Sequence, residues 1–460
     1  MTPFTTIDSP ILEQLINIVG DNQVSTGESD LKLHSHDQSF HEAHLPEVVV
    51  HPTTSQQVAD ILKLANQHHI PVTPWGAGSS LEGNPIPLHG GILLSLAKMD
   101  KIVEIHDADF QVTVQSGKPY KDLNKDLAKY GLFFPPDPGA NATVGGMLAN
   151  NAAGIRTVKY GASKDNVLKM QVALADGRLI NVGSRSVKQS AGYNLLQLFV
   201  GSEGTLGVIT EATLKLSPVP QFRTTMIAAF EQIENAVEAV VSIKGCGVDV
   251  AALEFLDATA TTMLIRGGLD MEPNPSLFME VYNVHSEAME ADIAVVREIC
   301  EELGCASFIA LTDPTAQSKL WEARHGAYET MVRMQPDLKF LTMDVAVPIS
   351  KYPEIIAFGR QQLSENGIVA AFIGHAGDGN IHLTLPYGNE EALNRVKTIN
   401  SAIVHKAIEL GGTATGEHGV GIGKKAYMRD EHGEALDVMR MIKQTLDPNG
   451  ILNPGKIIPS

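Results

Sequence analysis

The segment Gly374-His375-Ala-Gly-Asp378-Gly-Asn380-Ile-His382 sets one histidine inside a run of glycines and a second within the strand expected to follow. Alternate residues of a strand share a face, so Asn380 and His382 project together, and the glycine loop lets His375 fold back toward them. Two imidazoles and a later carboxylate make a divalent-metal site that keeps positions open for a ligand. Glu417, in Thr413-Ala-Thr-Gly416-Glu417-His418-Gly419-Val-Gly421, is the natural third ligand. In a chain with 16 His, ordinary hydrogen-bonded histidines can show the same spacing, and the flanking glycine is what tilts the balance. His418 directly follows Glu417, and Gly416 and Gly419 allow the bend that brings both to one cavity. There His418 is either a near-neutral base for a substrate hydroxyl or a residue that merely orients Glu417. Arg324, in Trp321-Glu322-Ala-Arg324-His325-Gly-Ala-Tyr328, carries a planar fork that fits a carboxylate; periodicity alone favours a solvated helix face with a pair to Glu322 or another neighbour.

Three small-residue loops precede this set: Pro74-Trp75-Gly76-Ala77-Gly78-Ser79-Ser80, Pro136-Asp137-Pro-Gly139-Ala-Asn-Ala142-Thr143-Val-Gly145-Gly146, and Gly201-Ser-Glu-Gly204-Thr-Leu-Gly207. Small residues let backbone N–H groups converge on an anion, and Ser or Thr hydroxyls add donors. Any one loop reads as an ordinary turn; together they suit a diphosphate. Position 81 is Leu, which excludes GxGxxG, and Gly421-Ile-Gly-Lys424 is followed by Lys425, which excludes a Walker A loop. What remains is a large dinucleotide held by several separated loops.

The elements that must position these groups change character along the chain. Residues 1–45 read as an acidic N-terminal helical arm, with Ser9 as cap and Pro10 in the first turn. Residues 46–220 alternate short strands with glycine, and Thr54-x-x-Gln57 has the form of a capping box. Asp176-Gly177 marks a two-residue hairpin, and Ser217 to Pro220 marks a boundary. Longer strand and helix alternation fills 221–412, including a helix opened by Asp313-Pro314. Residues 413–460 return to helix and glycine loop. The 460 residues carry 35 Lys+Arg against 53 Asp+Glu, a net charge of −18, which argues against nucleic-acid binding. No apolar run is long enough for a membrane helix, which leaves only peripheral membrane contact open. The early chain lacks the basic residues of a targeting peptide, and three Cys without a CxxC pair fit a reducing, cytoplasmic setting.

The order Pro46-Glu-Val-Val-Val-His-Pro, Pro74-Trp-Gly-Ala-Gly-Ser-Ser, Pro136-Asp-Pro, Gly201-Ser-Glu-Gly-Thr-Leu-Gly-Val208-Ile209-Thr and Asn453-Pro-Gly-Lys resembles the vanillyl-alcohol oxidase family of FAD enzymes. With the histidine motifs it is similar to that family's branch of cytochrome-type D-lactate dehydrogenases, glycolate oxidase subunits and D-2-hydroxyglutarate dehydrogenases. The resemblance implies an α+β fold: a PCMH-type FAD-binding domain, a substrate or cap domain with an antiparallel sheet flanked by helices, and a C-terminal segment returning to the flavin. It implies pyrophosphate at 76–80, with Pro74 and Trp75 leading in. Pro136, Asp137, Gly139, Ala142, Thr143, Gly145, Gly146, Asn150, Ala153 and Gly154 would lie along the flavin and its linker, Gly204, Val208 and Ile209 near the adenine, and Asn453 at the isoalloxazine. Some relatives bond FAD through a loop His; Ser79 and Ser80 stand there instead, so FAD is expected noncovalently bound.

The same resemblance makes His375, His382 and Glu417 ligands of zinc or manganese. It makes His418 the base, and Arg324, with Tyr328 and Asn380, the residues that hold the substrate. The implied reaction oxidises a D-2-hydroxy acid, with hydride passing to flavin N5 and electrons leaving to a cytochrome, quinone or electron-transferring flavoprotein. D-2-hydroxyglutarate enzymes carry a Lys where this chain has Thr342, so a small monocarboxylate such as D-lactate fits better. A glycolate dehydrogenase subunit stays as the alternative within this class, and a metallohydrolase using the same His, His and Glu as the alternative outside it.

Overall fold

The computed structural model describes residues 3–459. The chain divides into two compact units: Met1–Ala153 with Gly161–Val219 and Glu417–Ser460, and Gly154–Tyr160 with Pro220–Gly416. The short segment 154–160, grouped by sequence with the glycine-rich region, belongs to the second unit, because Ile155 is buried among Ala252, Leu256 and Phe278.

In the first unit, Val48–Val50, Ile92–Ser95 and Val72–Trp75 pair in parallel, with Val24–Ser25 antiparallel at one edge. Every residue of Val48–Val50 and Ile92–Ser95 is buried, as expected of parallel strands covered on both faces. The helix Ser55–His68 buries Val58, Ile61, Leu62 and Ala65, and the Thr54 hydroxyl caps it by accepting Gln57 N–H at 3.2 Å. Gln57 returns its side chain to Thr53 N–H rather than to that of Thr54, so the box closes one residue early. The helix Ser9–Val19 is capped by Asp8, whose carboxylate accepts Ile11 N–H at 3.0 Å, and not by Ser9, which already lies inside it. A carboxylate at a helix N-terminus adds charge to the cap. Ile11, Leu15 and Val19 join the core of Val58, Leu62 and Val72, so the helix of the N-terminal arm packs into this unit.

A second sheet of this unit is antiparallel, in the order Ile102–His106, Gln111–Gln115, Val208–Lys215, Val167–Ala173, Leu179–Gly183. Gly177, at φ +85°, turns the expected hairpin. The C-terminal segment returns to the parallel sheet: Leu452 bridges Val72, and Asn453 N–H donates to Val72 O at 2.8 Å.

The second unit is built on one seven-stranded antiparallel sheet, ordered Cys305–Leu311, Phe222–Phe230, Ser276–Asn283, Val250–Leu256, Ala371–Gly374, Asn380–Tyr387, Lys339–Ala346. Every residue of the central strand Val250–Leu256 is buried, so both faces of the sheet are covered there. The helices Ala258–Arg266, Pro314–His325 and Ala327–Met334 share a core with Ala252, Leu256 and Phe278 and so cover one face. Asp313 caps the second of these on Ala316 N–H at 2.8 Å, with Pro314 in its first turn as the sequence indicates. Among the described residues no helix is long and apolar enough to cross a membrane.

Candidate active site

The helix Pro314–His325 is fastened to the sheet by a polar stripe. Gln317 Oε1 accepts from Arg223 Nε at 2.9 Å, and Trp321 Nε1 donates to Thr225 Oγ1 at 3.2 Å. One turn on, Arg324 donates to Glu254 Oε2 from Nε at 3.0 Å and from Nη2 at 2.5 Å. Arg324 is therefore neither on a solvated face nor paired with Glu322; its partner comes from the central strand. Its Nη1 makes no hydrogen bond among the described residues. Glu254 is fully buried, and its other oxygen, Oε1, takes His375 Nδ1 at 2.7 Å. Burial pushes this carboxyl up, but the His375 and Arg324 charges outweigh it and hold Glu254 below its ordinary value. Sequence reasoning missed Glu254. The available signal was a lone carboxylate inside the apolar run Val250–Leu256, which cannot stay buried without a cationic partner.

The glycine loop brings its two histidines together, with ring centroids 5.2 Å apart and planes at 85°. The turn depends on Gly379, whose φ is +71° and where a Cβ would collide with Val347 O. His382 Nδ1 lies 3.5 Å from Oδ1 of Asp344, which is fully buried on the neighbouring strand. His375 thus has a carboxylate hydrogen-bonded at Nδ1, the usual backing of a histidine that binds a metal through Nε2, and Asp344 stands at ion-pair distance from His382 Nδ1. Asn380, expected to touch substrate, donates from Nδ2 to Asp344 Oδ1 at 2.7 Å and to Val345 O at 2.9 Å, while its buried Oδ1 has no hydrogen-bond partner among the described residues. With Thr415 Oγ1, which reaches Asp344 Oδ2 at 2.8 Å, it braces the carboxylate behind His382. The half-buried Tyr328 packs edge-on against Phe340, 6.4 Å between centroids, and its hydroxyl meets Thr342. Burial raises the Tyr328 hydroxyl above its ordinary value.

In the first unit the glycine loops converge on one cleft of about 1250 Å³, counted with its open mouth. Pro74, Trp75, Gly76, Ala77, Gly78, Ser79 and Ser80 line it, as do Ala142, Thr143, Gly145, Gly146, Asn150, Ala153, Gly204, Val208, Ile209 and Asn453. Pro136, Asp137, Gly139 and Gly154 do not; Pro138 and Ala140 face the cleft in their place. Asp137 instead accepts from Tyr120 Oη at 2.7 Å and from Gly139 N–H at 3.4 Å, and so shapes the turn from behind. The absence of side chains is structural, since a Cβ on Gly76 would stand 2.5 Å from Thr143 Oγ1.

Glu417 and His418 also line this cleft. Their loop is clamped: Asn150 Nδ2 donates to Glu417 O at 3.0 Å, and Glu203 accepts the N–H groups of Val420 at 2.6 Å and Gly421 at 2.9 Å. Gly419, at φ +80°, supplies the expected bend beside them. Glu203 is the second residue that sequence reasoning passed over, reading its motif for glycine alone. Burial raises its carboxyl despite these donors.

Residues 46–183 match the family model described as FAD binding domain, and residues 219–457 match FAD linked oxidases, C-terminal domain. A probable mitochondrial D-lactate dehydrogenase of Danio rerio is 39% identical, over 97% of this chain and 91% of its own. The glycolate oxidase subunit GlcD of Bacillus subtilis is 34% identical, over 98% and 97%. In fold, p-cresol methylhydroxylase superposes with a TM-score of 0.80 at 17% identity, over 99% of this chain and 98% of that one. A 4-ethylphenol oxidase from Gulosibacter chungangensis gives 0.79 at 18%, over 100% and 99%. Matched along nearly its whole length in both sequence and fold, this chain belongs to the family of FAD-linked oxidases with the PCMH-type FAD-binding fold.

Proposed function

We propose that this protein is an FAD-dependent D-2-hydroxy acid dehydrogenase that oxidises D-lactate to pyruvate. The observation that carries the reading is the cleft where the small-residue loops meet Glu417 and His418, which sets an ionisable pair on the wall of a dinucleotide-sized space. The cleft fits FAD by its lining of glycines and small residues, and Ser79 and Ser80 in the first loop support noncovalent attachment. FAD, when bound, supplies the acceptor for the two electrons and the hydrogen leaving C2.

Arg324 binds the substrate carboxylate through Nη1, while Glu254 holds its Nε and Nη2 and so fixes the plane of the fork. Because the protein carries −18, its field repels an anionic substrate, and the positive charge must be local. The sequence motifs name His375, His382 and Glu417 as the residues that would hold a divalent cation, zinc or manganese, and the carboxylate hydrogen-bonded behind His375 supports this. Such an ion supplies a Lewis acid that makes the substrate hydroxyl more acidic. His418 takes that hydroxyl proton. Asn380 holds Asp344 through its Nδ2 and keeps its Oδ1 for the substrate. Tyr328 and Thr342 present hydroxyls rather than a cation, which favours a monocarboxylate over 2-hydroxyglutarate. The similarity to a glycolate oxidase subunit keeps glycolate as a second substrate. We further propose a cytochrome, quinone or electron-transferring flavoprotein as acceptor and a cytoplasmic location, the latter supported by the unpaired Cys246, Cys300 and Cys305.

Anaerobic addition of D-lactate, glycolate and D-2-hydroxyglutarate to the purified yellow protein tests this. D-lactate should bleach the flavin band fastest and 2-hydroxyglutarate slowest; colour unchanged by all three defeats the proposal.

A further inference from the structure

The C-terminal segment places Lys443 and Lys456 in different surroundings. Lys443 is paired conventionally, its Nζ 2.5 Å from Asp447 Oδ2 and bonded to the carbonyls of Thr205 and Leu452. Lys456 is 4% exposed and reaches only neutral oxygens, Ile86 O at 2.6 Å and Asn453 Oδ1 at 3.1 Å. Among the described residues no carboxylate stands within ion-pair distance of it. A buried ammonium without a counter-ion is expensive, and proteins keep one where its charge is used. The use is indicated by Asn453, which lines the cleft and is locked by donating from Nδ2 to Asn84 O at 2.9 Å and Glu203 O at 2.8 Å. Lys456 therefore lies one side chain behind the cleft wall, and an anion forming in the cleft would be its nearest new partner.

Reduction forms such an anion. Oxidation of a 2-hydroxy acid releases two electrons and two protons; both electrons and one proton enter the cofactor, and the other proton leaves through the base. The cofactor ends one unit more negative. We propose that Lys456 is the positioning cation that balances this charge, stabilising reduced over oxidised FAD through the wall formed by Asn453. This inference rests on the FAD reading above.

The charged groups facing Lys456 set its readiness. Glu203 from the glycine loop and Asp37 from the N-terminal region favour its charge, Lys425 opposes it, and His89 is in turn pushed down by it. Glu203 is already engaged by Val420 and Gly421 N–H groups, and burial pushes both its carboxyl and that of Asp37 up. Burial, set against these, lowers the Lys456 ammonium to about 7, so a negative charge arriving in the cleft draws a proton onto it near neutral pH.

The test is the midpoint potential of bound FAD, measured by dye equilibration in purified holoenzyme with Lys456, Lys456→Met and Lys456→Arg. The Met variant should disfavour reduced relative to oxidised FAD about tenfold, which for a two-electron couple is ~30 mV. The Arg variant should recover most of that shift. The dependence of the potential on pH near 7 should flatten in the Met variant. Lys456→Gln, which keeps a donor to Asn453 without the charge, replaces Met if Met does not retain flavin. A flavin-replete uncharged variant with the parental potential overturns the proposal. So does loss of flavin from both uncharged variants with retention in Arg, which would assign Lys456 to binding oxidised FAD. Parental protein that neither carries nor takes up FAD defeats the underlying reading instead.

Discussion

Replacing Glu254 by Gln tests whether the buried carboxylate organises both Arg324 and His375. The substitution keeps the shape and an oxygen acceptor but removes the charge. Arg324, whose side chain is 11% exposed, would be left as a cation with no anion at 2.5 Å, and the His375 bond of 2.7 Å would become neutral. Both partners are almost wholly buried, so little solvent screening softens the loss. Removing one member of a buried pair costs about 3–5 kcal/mol, because the other charge is stranded. In a unit of about 200 residues, where each kcal/mol moves the melting temperature by roughly 2–4 °C, the expected drop is about 6–20 °C. The double variant Glu254→Gln/Arg324→Met removes both charges and should lose less than the sum of the two single changes, since the stranded cation is gone. Thermal unfolding followed by near-UV circular dichroism reads the stability, and kcat/KM for D-lactate reads the site. The KM rise should be shared by Glu254→Gln and Arg324→Met, because both disturb the carboxylate fork. A Glu254→Gln protein that melts within a degree or two of the parent, or strictly additive single variants, would refute the claim that this carboxylate is what holds Arg324.

His418→Ala should retain the flavin spectrum yet lose about 10² to 10⁴ in turnover, the range for a positioned base, and parental activity in the flavin-replete variant removes His418 from the chemistry. Asp257 caps the helix Ala258–Arg266 by accepting Ala260 N–H at 2.8 Å, and burial raises its carboxyl from 3.8 to about 6. The folded chain therefore binds this proton more tightly than the unfolded one, so stability from this group is fullest below about pH 4 and is lost as pH rises through about 6. Asp257→Asn keeps a capping oxygen and should gain up to about 3 kcal/mol at pH 7.5 with no gain at pH 4. Urea unfolding at both pH values decides it, and equal midpoints at pH 7.5 contradict the assignment. Gly145→Ala places a methyl 2.5 Å from Ser116 Cβ in the cleft wall and should cost about 1–3 kcal/mol and lower the flavin bound per chain. Gly245→Ala, with no obstacle within 4 Å at the end of the helix Ile233–Gly245, is the control that should leave flavin content unchanged and stability no lower; equal flavin content in the two variants would show that the wall tolerates the methyl.

What the sequence made legible was local. The turn around His375 and His382 could be read because the glycines that permit it are its immediate neighbours, and Gly379 meets its obstacle at Val347 O through a simple backbone approach. The capped helices opened by Thr54 and Asp313 are equally local. The partners of the site residues were not legible, because strand register and helix docking set them. Arg324 finds Glu254 across 70 positions of sequence, and Asn150 finds Glu417 O across 267. No periodicity reports such pairings, and the contact of the Asn380 amide with Asp344 comes from strand register, which sets Ala346 opposite Asn380 and Asp344 opposite His382. The missing information had a visible trace nonetheless. Glu254 and Asp344 are lone acids in strands otherwise apolar around them, and both are fully buried. Since an isolated carboxylate cannot be buried without partners, each lone acid is itself a statement that a cation or donor lies opposite, and here both sit at the Nδ1 side of a site histidine. Lys456 is the same argument with the sign reversed: a buried cation with no carboxylate at ion-pair distance among the described residues is a statement about what the cleft will hold.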